Sequence, residues 1–264
     1  MRAVNLSSGS DGNLTYIESD SAKILVDIGL SCKETEKRLA LLGISGREID
    51  AILITHEHSD HIKGLDVFAS KFQTKVYAHI DGWDAINAKT FKLASTQKWS
   101  FSQSPFQIKD ITVSAVKLPH DSKCCVGFSF KSGSSKISIA TDLGKIDQNI
   151  LSHIAGSQLI YLEANHNIDM LKANPNYSSL LKSRILGSRG HLSNIDCAKA
   201  IAYLAQNGTR QIVLSHLSRE NNLPEVAYNE ICSYLASVGI IEGTNIKIDI
   251  ASIEPGKIFR IKSE

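Results

Sequence analysis

The sequence has no run of 18 apolar residues, and its start, MRAVNLSSGSDGN, lacks the apolar core of a secretion signal. Neither a membrane span nor a signal peptide is expected. The five cysteines (Cys32, Cys124, Cys125, Cys197, Cys232) form no C-x-x-C pair and are odd in number. That argues against a disulfide framework and suits reduced thiols in a cytoplasm. An excess of one charge is missing too: 29 basic against 27 acidic residues leave a formal net charge of +2. Repeats, low-complexity tracts and Pro/Gly-rich linkers are absent. At 264 residues, 42% hydrophobic and 21% charged, the chain is expected to form a single globular domain over 1–264 with a sizeable core.

The charge that is present is unevenly spread. Between residues 172 and 219, Lys172, Lys182, Arg184, Arg189, Lys199, Arg210 and Arg219 stand against a single acid, Asp196. Charge alone favours solvated helix faces, with a polyanion surface as the functional alternative.

Short β-branched runs alternate with helical patterns. TYIES, AKILVDIGL, AILITH, KVYAH, ITVSAVKLPH, KISIATD, QLIYLEAN, QIVLSH and IKIDI read as strands. Helices are expected over 33–42, 62–72, 194–207 and 224–238, the last opening on Pro224 and stopping at Gly239. The pattern is α/β, with packed sheets flanked by helices.

Several of these runs finish on metal-ligand residue types: Asp27, His56, His120, Asp142 and His216. Directly behind His56, the stretch THEHSDHIKG adds His58, Asp60 and His61. Imidazole suits Zn²⁺ and similar borderline ions, and a carboxylate can bridge two cations. Strand ends gathered at one sheet edge make a rigid rim for such ligands. Side chains alternate along an extended segment, so His56 and His58 point to one side and can hold one ion. Asp60 and His61, past the turn, can hold a second. His120 would complete the first site and His216 the second, with Asp142 between them.

THEHSDHIKG, followed in order by His120, Asp142 and His216 and preceded by Asp27, resembles the metallo-β-lactamase superfamily of binuclear metallohydrolases. The resemblance covers nearly the whole chain. It implies a four-layer αββα sandwich and two divalent ions, Zn²⁺ or Mn²⁺, in a groove at the sheet edges. The ligands carried over are His56, His58, Asp60, His61, His120, Asp142 and His216, with Asp27 supporting them from behind. The motif set selects no reaction, because lactamases, thioesterases, lactonases, phosphodiesterases and nucleases share it.

EANHN (163–167), RGHLSN (189–194) and IVLSHLSREN (212–221) resemble the phosphodiesterase and nuclease branch. There a glutamate and a histidine, Glu163 and His191 by position, pair to protonate the leaving alkoxide. The chemistry agrees, since an alkoxide is a basic leaving group that gains from a proton donor. LSSGSDGN, LLKSRILGSRGHLSN and LSRENNLPE are similar to the YycJ/WalJ family, associated with 5′-to-3′ exonuclease activity on DNA and lacking the inserted β-CASP domain. The short stretch 143–215 agrees with that lack, and the short step from Asp142 to Glu163 leaves little room for a tRNA-holding arm.

The resemblance implies a metal-dependent phosphodiesterase. A hydroxide bridging the two ions, from water whose pKa is lowered toward roughly 7, would attack phosphorus. Asp60 would orient it, and His191 backed by Glu163 would protonate the leaving oxygen. Ser8, Asn13, Ser193 and Ser218 are candidate contacts to the phosphate or terminal nucleotide, although SSGSDGN is equally a hairpin turn. Arg184, Arg189 and Arg219 would hold the polyanion, with DNA ends as the expected partner. A small-molecule hydrolase (thioester, lactone or cyclic phosphodiester) and an RNA-processing nuclease remain as alternatives. His79, His153 and His166 read as structural, with support of Glu163 the lesser alternative for His166, and Cys124 and Cys125 as buried small hydrophobes.

Overall fold

The computed structural model describes residues 1–261. Its strands are β1 (Arg2–Ser7), β2 (Leu14–Glu18), β3 (Lys23–Val26), β4 (Ala51–Leu53), β5 (Lys75–His79), β6 (Lys98–Phe101) and β7 (Phe106–Ile108). There follow β8 (Ile111–Leu118), β9 (Cys125–Ser132), β10 (Ser135–Ala140), β11 (Leu159–Glu163), β12 (Gln211–Ser215), β13 (Lys247–Ile250) and β14 (Ile258–Arg260). They make two mixed seven-stranded sheets, so the expected α/β class holds. The described residues divide into two compact units, one of residues 1–115, 122–135 and 252–261, the other of 116–121 and 136–251.

The first unit contains a complete sheet, ordered β14-β1-β2-β3-β4-β5-β6. Its antiparallel half joins a parallel half in which β3, β4, β5 and β6 run together, with Leu25 beside Ile52 and Ile52 beside Val76. The parallel strands are near-continuous apolar runs, as burial on both faces demands. The helices Cys32–Leu41 and Leu65–Phe72 cover this sheet through Leu39, Leu65 and Phe68, all fully buried with Tyr16, Leu25 and Ile52. Burying each such side chain contributes about 1.5–3 kcal/mol. The helix expected over 62–72 is instead two, Ser59–Ile62 and Leu65–Phe72. Gly64 separates them because its amide donates to the Ile28 carbonyl, and a Cβ there would meet the Leu30 carbonyl oxygen at 2.0 Å. Only glycine allows the loop after β3 to come that close to the segment carrying Asp60 and His61.

The second unit is built on the parallel strands β10, β11, β12 and β13, in register from Ile137–Leu159 across to Gln211–Lys247. The helix Asn194–Gln206, expected to 207, is capped by the Ser193 side chain, which accepts from the Asp196 amide. The helix Pro224–Ser237, expected to 238, opens with proline in its first turn. These two helices pack together over β11 and β12 through Ile201, Leu204, Ile231 and Leu235 against Ile160, Leu162, Ile212 and Leu214. Four parallel strands ending side by side bring Asp142, Glu163 and His216 to one edge, where α/β sheets present their sites.

Candidate active site

In the first unit the site begins at Asp27, the residue after β3. It has φ of 60°, a left-handed conformation unusual outside glycine and tolerated best by Asp and Asn. Its carboxylate is buried and accepts three bonds: from the Thr55 amide (2.8 Å), the Thr55 hydroxyl (2.8 Å) and His61 Nδ1 (2.8 Å). Burial pushes the Asp27 carboxyl above the usual range, with the charge and bonds of His61 and the Thr55 bonds pulling back. By donating Nδ1–H to Asp27, His61 is fixed in the tautomer that leaves Nε2 unprotonated. The rings of His58 and His61 lie 4.6 and 4.1 Å from that of His56, centroid to centroid. His56 is buried and supported through Nδ1 by Thr55 Oγ1 at 3.0 Å, with Cys125 Sγ at 3.8 Å. Asp60 Oδ2 stands 3.4 Å from His61 Nε2.

In the second unit, Asp142 and His216 repeat the left-handed strand-end device, with φ of 64° and 57°. Asp142 and His216 are nearly inaccessible, and Glu163, last residue of β11, is entirely so. Glu163 Oε1 accepts from His191 Nδ1 (2.8 Å) and from His216 Nδ1 (3.0 Å). Its Oε2 accepts from the amides of Leu143 (2.9 Å) and Leu192 (3.3 Å). Desolvation would raise the Glu163 carboxyl, but the charges and bonds of His191 and His216 outweigh it and hold the group well below the carboxylate range. For His191, burial alone would lower the imidazole; the Glu163 carboxylate reverses this and raises it above the ordinary value. The His191 side chain is 24% exposed, so its second nitrogen can reach a bound molecule. Ligand atoms of Asp142, Glu163, His191 and His216 all lie within 4.8 Å of one another.

His120, after β8, belongs to the same unit. Its Nδ1 donates to the Gly190 carbonyl (3.2 Å) and its Nε2 lies 3.5 Å from Asp121 and 4.0 Å from Asp142. Burial foremost pushes its pKa down, which favours the neutral ring a metal requires.

Some sequence-predicted contacts are used inside the fold. The Asn13 carboxamide nitrogen meets Asp60 Oδ2 (3.3 Å) and His61 Nε2 (3.0 Å), while its oxygen accepts from the Gly9 amide. Asn13 thus supports Asp60 and His61. Ser193 caps a helix and donates to Asp196, and Ser218 accepts from the Asn221 amide in a turn. Ser8 is buried, its amide bonded to the Ser252 carbonyl. Arg184 pairs with Asp121, and Arg189 Nε donates to the His120 carbonyl at 3.0 Å; both brace the His120 segment. Arg219 is exposed. His79 accepts the Asp81 amide through Nδ1, and Cys124 and Cys125 are buried. His166 is buried with neither ring nitrogen hydrogen-bonded, so it does not hold Glu163. Thr55, Asp121, Gly190, the contacts of Asn13 to Asp60 and His61, and the second bond of Glu163, to His216, were not foreseen; among the new residues only Thr55, adjacent to His56, carried a local hint.

Residues 22–217 match the beta-lactamase superfamily domain. A Bacillus anthracis protein, exodeoxyribonuclease YycJ, is 35% identical over 92% of each chain. Exodeoxyribonuclease WalJ of Streptococcus pneumoniae is likewise 35% identical, over 92% of this chain and 91% of that one. The chain belongs to the beta-lactamase superfamily and, within it, to the YycJ/WalJ family. Among solved structures, the metallo-beta-lactamase fold protein YhfI of Bacillus subtilis superposes with a TM-score of 0.73 at 15% identity, covering 98% of this chain and 100% of that one. The metallo-β-lactamase fold expected from the motifs is therefore present.

In this YycJ/WalJ family member the donors fit divalent cations. Each unit offers buried imidazoles whose Nδ1 is already committed to an oxygen, at His61, His120 and His216, and a carboxylate beside them at Asp60 or Asp142. Ring nitrogens ordered in this way, with carboxylate oxygens at hand, are the set such ions take.

Proposed function

We propose that this chain is a binuclear metal-dependent phosphodiesterase that degrades DNA from a 5′ end, acting as a single domain. The residues that would hold the ions are His56, His58, Asp60 and His61 in the first unit and His120, Asp142 and His216 in the second. When bound, two divalent cations, Zn²⁺ or Mn²⁺, would polarise the phosphate and acidify water. The chain's own contribution is proton delivery. Glu163 keeps His191 charged, and His191 gives its proton to the leaving oxygen and so removes the cost of expelling an alkoxide. Asp60 is suited to orient the attacking water.

The observation that carries this reading is the 2.8 Å bond between a fully buried Glu163 and a partly exposed His191, with a raised imidazole pKa. A thioester leaves as a thiolate, a weaker base that needs such a donor less. The relatives YycJ and WalJ, matched over nearly their whole length, supply the substrate class. Five free cysteines suit a reducing cytoplasm. No helix among the described residues is long and apolar enough to cross a membrane.

End-labelled linear DNA, covalently closed circles and RNA, each incubated with protein and Zn²⁺, Mn²⁺ or Mg²⁺, test the proposal. Mononucleotides or short products from a linear 5′ end, with circles spared, are expected. Circles cut as fast as linear DNA would refute exonuclease action, and RNA cleaved in preference would point to RNA processing.

A further inference from the structure

A cavity of about 340 Å³ in the second unit is walled by residues that directly follow the site in sequence. Lys145 and Ile146 come after Asp142, Leu192 comes after His191, and Leu151 and Lys199 close it from the helices Gln148–Ile154 and Asn194–Gln206. Its two walls hang from one carboxylate: Glu163 Oε2 accepts the amides of Leu143 and Leu192. The loop positions are tightly fixed. A Cβ on Gly144 would meet the Gly187 oxygen and the Gly190 nitrogen at 2.5 Å each. The cavity therefore keeps a set relation to the Glu163–His191 pair.

Its chemistry is two-sided. Ile146, Leu151 and Leu192 give it an apolar face, while Lys145 and Lys199 give it a basic one. Lys199 is spent on Asp196, at 2.8 Å, which cancels that acid. Lys145 is exposed and makes no ion pair among the described residues, so one positive charge is left over. An apolar slot of this size beside one spare ammonium matches a single nucleotide unit: the base packs on the aliphatic wall and the phosphate meets the lysine. We propose that this cavity seats one nucleotide of the nucleic-acid strand next to the bond being cut. This rests on the phosphodiesterase reading above and names a subsite for it.

The test uses the full chain and titrates dTMP, 2-deoxyribose 5-phosphate and thymidine by calorimetry into wild type, Lys145→Glu and Leu151→Asp. Wild type should bind dTMP more tightly than the base-free sugar phosphate. Lys145→Glu should weaken dTMP by about tenfold or more, the scale of one lost charged contact. Leu151→Asp should abolish the advantage of dTMP over the sugar phosphate, because only the base touches that wall. Should Leu151→Asp fail to fold, the exposed Lys145 substitution still decides. The salt dependence of single-stranded DNA binding should also flatten in Lys145→Glu, by about 0.7 in log–log slope for one phosphate contact. Wild type that digests linear DNA, but whose dTMP affinity neither substitution changes, overturns the cavity proposal alone. Wild type that binds dTMP with these sensitivities yet digests no DNA supports the cavity and removes the exonuclease reading.

Discussion

Each unit of the chain carries a buried carboxylate that holds a histidine in place, and the two do so to different ends. Asp27 gives its oxygens to Thr55 and to His61. It faces one imidazole, and burial leaves its carboxyl raised. Glu163 faces two, His191 and His216, and also takes two backbone amides. Its four donors, two of them imidazoles, overcome the same desolvation and hold it ionised. A buried carboxylate that faces one imidazole is thus left raised, while one that faces two is held low and raises the pKa of a ring beside it. Asp27 has the first arrangement and Glu163 the second.

The comparison breaks most visibly at Glu163. Glu163→Ala leaves two histidines and two amides without their acceptor, so unfolding in urea should show a loss of about 3–5 kcal/mol at pH 7, the scale for breaking a buried ion pair. The sign with pH follows from its depressed pKa. The contribution is present above the ordinary carboxyl value and is lost as pH falls through the lower folded value, so the difference between wild type and variant should narrow in strong acid. A variant as stable as wild type at neutral pH would mean that the amides and rings find other partners.

His166 gives a second acid-sensitive term, of opposite origin. Burial lowers its pKa to about 4, against about 6.5 for a free imidazole. Between these values the unfolded chain binds the proton and the folded chain does not. Stability should therefore fall as pH drops through that window, by up to about 3 kcal/mol, and lose no more from this source below it. His166→Leu should remove the dependence, and parallel pH profiles of variant and wild type would contradict the buried neutral ring.

Asp27→Asn should act on metal retention instead. It keeps a polar group against Thr55 but weakens the acceptor for His61, so affinity for Zn²⁺ in a chelator competition should drop about 10–100-fold, as for other supports of a ligand histidine. Unchanged affinity would mean that Asp27 serves only the fold. The smallest effect is expected at Arg184. Its pair with Asp121 is largely exposed, so Arg184→Ala should change stability by about 0.2–1 kcal/mol and weaken DNA binding mainly at low salt. A larger stability loss would show that the pair carries the His120 segment.

The first cluster was legible because its parts are consecutive: an apolar strand followed by T-H-E-H-S-D-H states both the strand end and the ligands in one line. The strands that carry Asp142, Glu163 and His216 were equally legible, each as a short apolar run. What local pattern could not show is that parallel registry sets Glu163 beside Ser215, and so within reach of His216 as well as His191. The same limit explains Asn13 and Ser193. Their small polar side chains in loops suggested ligand contacts, but capping and close packing, which are tertiary facts, had taken them. The break at Gly64 was hidden because a glycine inside an apolar helical pattern reads as tolerated until the Ile28 carbonyl is found beside it.

The claim on which the rest depends is that His191, charged by Glu163, protonates the leaving oxygen of a phosphodiester. The direct measurement compares wild type and His191→Ala on linear DNA, whose leaving group is a basic alkoxide, and on bis(p-nitrophenyl) phosphate, whose leaving group needs little protonation, with metal content determined on the same samples. Cleavage of DNA should fall about 10²–10⁴-fold and that of the activated ester far less, with the metal content unchanged. Equal losses on both substrates, or loss of metal from the variant, would contradict the account.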